Sequence, residues 1–186
     1  RRVLEVGAGC ALPSLVAAKV GAGHVCVTDR TDSALVHAQL AAERNGFDHM
    51  SFQAILWGVF DEPLLEVGDV DVILCADCFY TSLDFDSLLA TIHWLLLPSS
   101  AEDEVGAERP VQPRLKSCLV AYQERSTSRS IRHLLAKWNL VAMSLESSTA
   151  RQDRDAEATS EDSVHMFEIQ LADDGGGSAG GVRTLE

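Results

Sequence analysis

Four acidic side chains and one phenol stand where strand-like runs give way to turns: Glu5, Asp29, Asp77 with Tyr80, and Glu124. Glu5 lies in the apolar run Val3-Leu4-Glu5-Val6, two residues before Gly7-Ala8-Gly9. Asp29 ends a second run, Cys26-Val27-Thr28, and lies 20 residues beyond Gly9. That layout is a mononucleotide-binding strand–turn–helix–strand. Bare glycine backbone lets a ligand approach, and an acid at this spacing accepts hydrogen bonds from ribose hydroxyls.

The ligand follows from what the turn lacks. A dinucleotide asks for G-x-G-x-x-G, because its pyrophosphate sits on the helix N-terminus. Here the third position is Leu12, too bulky for that approach. Glu5 would welcome a cationic group. S-adenosylmethionine carries an ammonium, a sulfonium and no phosphate, so E-x-G-x-G with Asp29 points to that methyl donor. Glu5 and the Gly7–Gly9 backbone would face its methionine half. NAD binding and a ligand-free βαβ unit are the alternatives. Trp57, after the third strand and before Gly58, offers a flat ring for adenine or, equally, for the core.

Methyl transfer needs a neutral nucleophile held in line, so positioning is the main task. A lysine or arginine acceptor arrives protonated. Asp77, just past the fourth strand, can orient such a nitrogen, and Tyr80 can wall it or bond to it. Glu124, just past the fifth, is a second carboxylate, and a planar guanidinium asks for two acceptors. Each residue also has a plainer role: Glu5 satisfied by a backbone N–H, Asp29 capping a helix, Tyr80 packing on the next helix.

The spacing predicts elements that bring these positions together. A helix runs from Pro13 to Val20 and is ended by Gly21-Ala22-Gly23, and a strand covers His24 to Thr28. Asp32 can cap a helix from Ser33 to Arg44, stopped at Asn45-Gly46. Strands follow over Met50 to Leu56 and Val70 to Ala76. Asp84 can cap a helix from Phe85 to Leu97 that buries Leu88, Leu89, Ile92, Leu95 and Leu96. Leu115 to Tyr122 is a strand and Ser126 to Trp138 a helix, and Leu140 to Leu145 with Val164 to Leu171 form an antiparallel hairpin. Ser99 to Pro113 and Ser147 to Ser163 read as polar loops. Alternating strands and helices predict an α/β, Rossmann-like, doubly wound and mostly parallel sheet over residues 1–172, with a flexible glycine-rich tail over 173–186. Ligands in such sheets lie at the carboxyl ends of the strands.

Charge narrows the partners. Asp and Glu number 28 against 15 Lys and Arg, a net −13, which argues against direct nucleic-acid binding and favours basic partners. No apolar run reaches the roughly 18 residues of a membrane span. Five cysteines, mostly in strand-like runs, predict buried reduced thiols in an intracellular compartment. Cys75-Ala76-Asp77-Cys78 is formally C-x-x-C, but zinc would need a second pair, so a strand-end role is expected and no metal. The chain opens at Arg1 and enters a core strand at once, as a fragment with a missing upstream segment would.

Trp57-Gly58, Ala76-Asp77-Cys78-Phe79-Tyr80, Tyr122-Gln123-Glu124-Arg125-Ser126 and the Lys137-Trp138 helix ending together resemble the methyltransferase-like family-16 protein methyltransferases. The resemblance runs from about Val3 to Leu171. It implies the seven-strand methyltransferase fold, S-adenosyl-L-methionine as cofactor, and protein N-methylation, mostly of lysine. By the same resemblance the cofactor positions fall on Gly7, Ala8, Gly9, Asp29, Trp57 and Ala76. The family member that the spacing resembles most implies arginine methylation of histone H3, a nuclear and cytoplasmic location, and chaperone or transcription-regulatory partners. The family has an upstream tryptophan segment that helps to close the cofactor site. A non-catalytic interaction domain on the same fold is the other class considered.

Overall fold

The computed structural model describes residues 1–98, 115–123, 131–145 and 164–172. In order these form β1 (Arg2–Glu5), α1 (Leu12–Lys19), β2 (His24–Asp29), α2 (Asp32–Asn45), β3 (Met50–Ala54) and α3 (Glu62–Glu66). They continue with β4 (Val72–Ala76), α4 (Phe85–Leu96), β5 (Ser117–Gln123), α5 (Arg132–Lys137), β6 (Leu140–Ser144) and β7 (Val164–Leu171). The sheet has seven strands in the order β3-β2-β1-β4-β5-β7-β6. β1 to β5 pair in parallel, and β7 runs antiparallel between β5 and β6. The doubly wound sheet and its hairpin ending are as the spacing predicts. The expected loops at Ser99 to Pro113 and Ser147 to Ser163, the tail at 173–186 and the start of the Ser126 helix lie outside the described residues.

Alternation along the inner strands fills two layers. Leu4, Ile73, Cys75, Cys118, Val120 and Ile169 join the buried side of α4, whose Leu88, Leu89, Ile92, Leu95 and Leu96 are all buried. Val3, Val25 and Val27 face the other way, toward Ala18, Leu35 and Ala38 of α1 and α2. Each fully buried Leu or Ile contributes about 1.5–3 kcal/mol. This two-sided core holds the strand ends at one rim.

Local boundaries differ from the sequence reading for identifiable reasons. α2 is capped by Thr31, not Asp32: Thr31 is extended (φ −140°, ψ 151°) and its hydroxyl accepts from the Ala34 N–H at 3.3 Å. Asp32 instead occupies the first turn, where its charge suits the helix dipole. Asp84 precedes α4 but makes no side-chain cap bond. α3 went unforeseen because five residues that bury only Leu64 show no period. β3 and β4 are shorter than expected, and β5 runs from Ser117 to Gln123 rather than from Leu115. Among the thiols, Cys10 is exposed, unlike Cys26, Cys75, Cys78 and Cys118. No helix among the described residues is long and apolar enough to cross a membrane.

The Lys137-Trp138 pair has a structural reason. Asp86, in the first turn of α4, accepts from Lys137 Nζ at 2.7 and 2.8 Å and from Trp138 Nε1 at 2.9 Å. The Lys137 and Trp138 bonds hold the Asp86 carboxyl below its ordinary value of 3.8. A depressed carboxylate stabilises the fold above its unfolded pKa and loses that contribution as pH falls through the folded one. Urea midpoints taken from pH 5 downward should therefore fall less steeply for Asp86→Asn than for the parent chain. Parallel curves would mean that the α4–α5 tie carries no pH-dependent stability.

Candidate active site

The glycine turn is built from both of its neighbours. Val6 N–H donates to the Leu74 carbonyl at 3.0 Å, and Ala8 N–H to the Thr28 carbonyl at 2.9 Å. Gly7 and Gly9 have φ of +62° and +51°, the left-handed region. A Cβ on Gly7 would lie 2.9 Å from Trp57 Cζ2 and 3.0 Å from Cys78 Sγ, whereas one on Gly9 would meet nothing within 4 Å. Gly7 is thus required by packing and by conformation, and Gly9 by conformation with open space before it. Gly7→Ala should cost about 2–5 kcal/mol, the sum of a left-handed residue and an overpacked contact. Gly9→Ala should cost only the first part, about 1–2 kcal/mol. Chemical unfolding of the two variants checks the difference; equal losses would show that the Trp57 and Cys78 contacts yield freely.

Glu5 has a different part from the one expected. Its side chain is buried (1% exposed), and Oε2 accepts from Ser14 N–H at 3.0 Å in the first turn of α1. The carboxylate is turned under the loop, off the cavity wall. Burial pushes its carboxyl up, partly offset by hydrogen bonding from Ser14. Asp29 ties down the top of the turn: Oδ2 accepts from Gly9 N–H at 2.8 Å and Oδ1 from Arg30 N–H at 2.7 Å. An ionised carboxylate offers about four lone-pair sites, so acceptor capacity remains for ligand hydroxyls.

Trp57 is fixed through its neighbour. Gly58, at φ +77°, donates its N–H to Thr91 Oγ1 at 2.8 Å, and a Cβ there would lie 2.9 Å from Ser87 Cβ. The Trp57-Gly58 turn therefore sits directly on α4. That contact brings in two residues that sequence reasoning missed, Asp84 and Ser87, which line the cavity beside Trp57. Asp84 was read only as a cap. Ser87, a polar position on an apolar helix, was the available signal.

Across the cavity, Asp77 follows the last residue of β4 at φ +54° and donates its N–H to the Ala121 carbonyl at 2.8 Å. A non-glycine residue held there stores about 1–3 kcal/mol, and such strain clusters at functional sites. Beside it Cys78 is buried and its thiol donates to the Val6 carbonyl at 3.1 Å. The hydrogen bond between the Cys75 and Cys78 thiols, with burial, pushes Cys78 far up. High-pKa buried thiols are inert, consistent with a strand-end role. No group among the described residues could hold a metal ion. Tyr80 is half-exposed at the rim. Glu124 lies outside the described residues, and with it the proposed Asp77–Glu124 acceptor pair.

These pieces enclose a cavity of about 190 Å³ where the strand order reverses between β1 and β4. Of the expected residues, Gly7, Gly9, Asp29, Trp57, Asp77 and Tyr80 line it; Glu5, Ala8 and Ala76 do not. The lining fits an adenosine carrying a cationic sulfur. It offers a carboxylate for hydroxyls, an aromatic wall, free room over Gly9 and a further carboxylate opposite.

A sequence profile described as lysine methyltransferase matches residues 1–130. The histone-arginine methyltransferase METTL23 of Xenopus laevis is 32% identical over 186 residues, covering 97% of this chain and 73% of that protein. The Homo sapiens protein of the same name is 32% identical over 180 residues, 94% of this chain and 87% of that one. The protein N-terminal and lysine N-methyltransferase efm7 of Neurospora crassa is 34% identical over 114 residues, 52% of this chain and 40% of its own length. Among solved structures, ribosomal protein L11 methylase from Lactobacillus delbrueckii subsp. bulgaricus superposes with a TM-score of 0.60 at 17% identity. It covers 92% of this chain and 70% of that one, a likeness of fold.

Proposed function

Because the chain belongs to the lysine methyltransferase family, and is thus an S-adenosylmethionine-dependent methyltransferase, we propose that its acceptor is a protein arginine, with histone H3 as substrate. The observation that carries this is the match to the histone-arginine methyltransferases over nearly the whole chain. A lysine acceptor is the second reading, favoured by the family description and by the half-length match to efm7.

When bound, the cofactor supplies an electrophilic methyl group on a sulfonium sulfur. The rest is the work of this chain's residues. Asp29 accepts from the ribose hydroxyls, the Gly7–Gly9 backbone gives the methionine half its room, and Trp57 walls the adenine. Asp77 accepts from the substrate's cationic nitrogen, passes the proton which that nitrogen must lose on to water, and turns the freed lone pair toward the methyl, while Tyr80 narrows the entrance. Arginine demands more of Asp77 than lysine does, since its guanidinium stays charged up to about pH 12. The same reading expects the protein in nucleus and cytoplasm. The test is mass spectrometry of histone H3 after incubation with the full-length protein and labelled S-adenosylmethionine. Methylarginine is expected; label on lysine alone would turn the assignment to the second reading.

A further inference from the structure

The turn between β4 and α4 holds an apolar side chain in water beside the cavity mouth. Asp84 N–H donates to the Thr81 carbonyl at 3.0 Å, closing a turn that carries Leu83. Leu83 is 87% exposed, the most exposed large apolar side chain among the described residues. One exposed leucine needs no explanation by itself. This one, however, is not carried on slack chain. On one side Cys78 and Phe79 are buried, and on the other Phe85 is buried. Phe79 and Phe85 meet edge-to-face at 5.2 Å, pinning the base of the loop. Asp84 then continues into α4, its carbonyl accepting from Leu88 N–H at 2.9 Å. Leu83 is therefore presented by a fixed turn.

Its neighbours define what it meets. Asp84, next in sequence, lines the cavity, as do the partly exposed Tyr80 and, among the lining residues, the partly exposed Leu56. Exposed apolar surface thus adjoins a cavity whose wall carries the carboxylates Asp29, Asp77 and Asp84 against the one cation Arg30. A ligand complementary to both has a cationic head and an adjoining aliphatic group. Building on the protein-methylation reading, we propose that Leu83 with Tyr80 forms a docking lip for a bulky aliphatic side chain close in sequence to the methyl-accepting residue. The acceptor's charge enters toward Asp77 and Asp84 while the aliphatic neighbour closes over Leu83 and loses its water. The occupant is a basic peptide segment, and the lip selects among such segments.

The probes are ten-residue Gly/Ser peptides with one central arginine, each carrying Leu or Ser at one position from two before to two after it. Fluorescence anisotropy reads their binding to the full-length protein saturated with S-adenosylhomocysteine, so that nothing turns over. At the favoured position Leu should tighten binding about tenfold over Ser, the effect of partly burying one leucine. Leu83→Ser should abolish that preference, Leu83→Met should keep it, and cofactor affinity should be unchanged in both. Equal binding of Leu and Ser peptides, a preference that survives Leu83→Ser, or no binding of any peptide at millimolar concentration each overturns the lip. Methylation of histone H3 is scored separately, so loss of the lip with H3 methylation intact is distinct from failure of the functional reading.

Discussion

Asp29→Ala should lower the affinity for S-adenosylmethionine at least about tenfold, as isothermal titration would read it. A hydrogen bond to a charged group is worth about 1.5–3 kcal/mol, and the substitution removes the acceptor proposed for both ribose hydroxyls. It also leaves Gly9 N–H and Arg30 N–H without the carboxylate that now accepts from them. The glycine turn then keeps its Ala8 N–H bond to the Thr28 carbonyl but loses the Gly9 tie to β2, adding to the loss. Glu5→Gln is the control. It preserves an acceptor for Ser14 N–H and lies off the cavity wall, so it should leave the dissociation constant unchanged. An unaltered constant in Asp29→Ala would reduce Asp29 to a staple of the turn. A large loss in Glu5→Gln would restore its carboxylate to the cationic half of the ligand.

Asp77 separates chemistry from folding. Its φ of +54° suits glycine and asparagine better than most residues. In Asp77→Gly the relief of strain, about 1–3 kcal/mol, is set against the extra entropy of an unfolded glycine, about 0.5–1 kcal/mol. Stability should stay level or rise slightly. Turnover should fall about a hundredfold or more if, as proposed, Asp77 orients the acceptor nitrogen. Asp77→Asn, which keeps the shape and the left-handed backbone, should lose turnover similarly while cofactor affinity holds. Matching losses in kcat and cofactor affinity would move Asp77 into the cofactor shell. Full turnover in Asp77→Asn would show that its charge is not needed.

Much of this was legible in the chain, and the gaps have common causes. β1 and β2 are apolar runs buried on both faces, and α4 repeats its leucines at helical spacing, so these announce themselves. The rim positions Gly7, Gly9, Asp29, Trp57 and Asp77 follow, because strand ends gather at one edge of such a sheet. What escaped was direction rather than position. Glu5 sits in a strand whose two faces are both buried, and only the start of α1 decides where its carboxylate finds a donor. Asp32 is the better cap by residue type, and the extended backbone at Thr31 gives the place to Thr31 instead. Ser87 and Asp84 reach the cavity only because Gly58 lets the Trp57 turn settle on α4.

The same Gly58 contact has a thermodynamic consequence. The Thr81–Asp84 turn runs into the first turn of α4, and Ser87 and Thr91, on the next turns, carry the backbone that holds Trp57. Asp84, Ser87 and Thr91 stand at helical spacing along one face of α4, so the lip and the Trp57 turn rest on the same short rod. A ligand that shifts α4 at one site shifts it at the other, so the two sites are expected to be coupled. The coupling is reciprocal: whatever factor a bound peptide adds to cofactor affinity, the cofactor returns to the peptide. Protein substrate and methyl donor are then expected to bind cooperatively through the helix that both sites share.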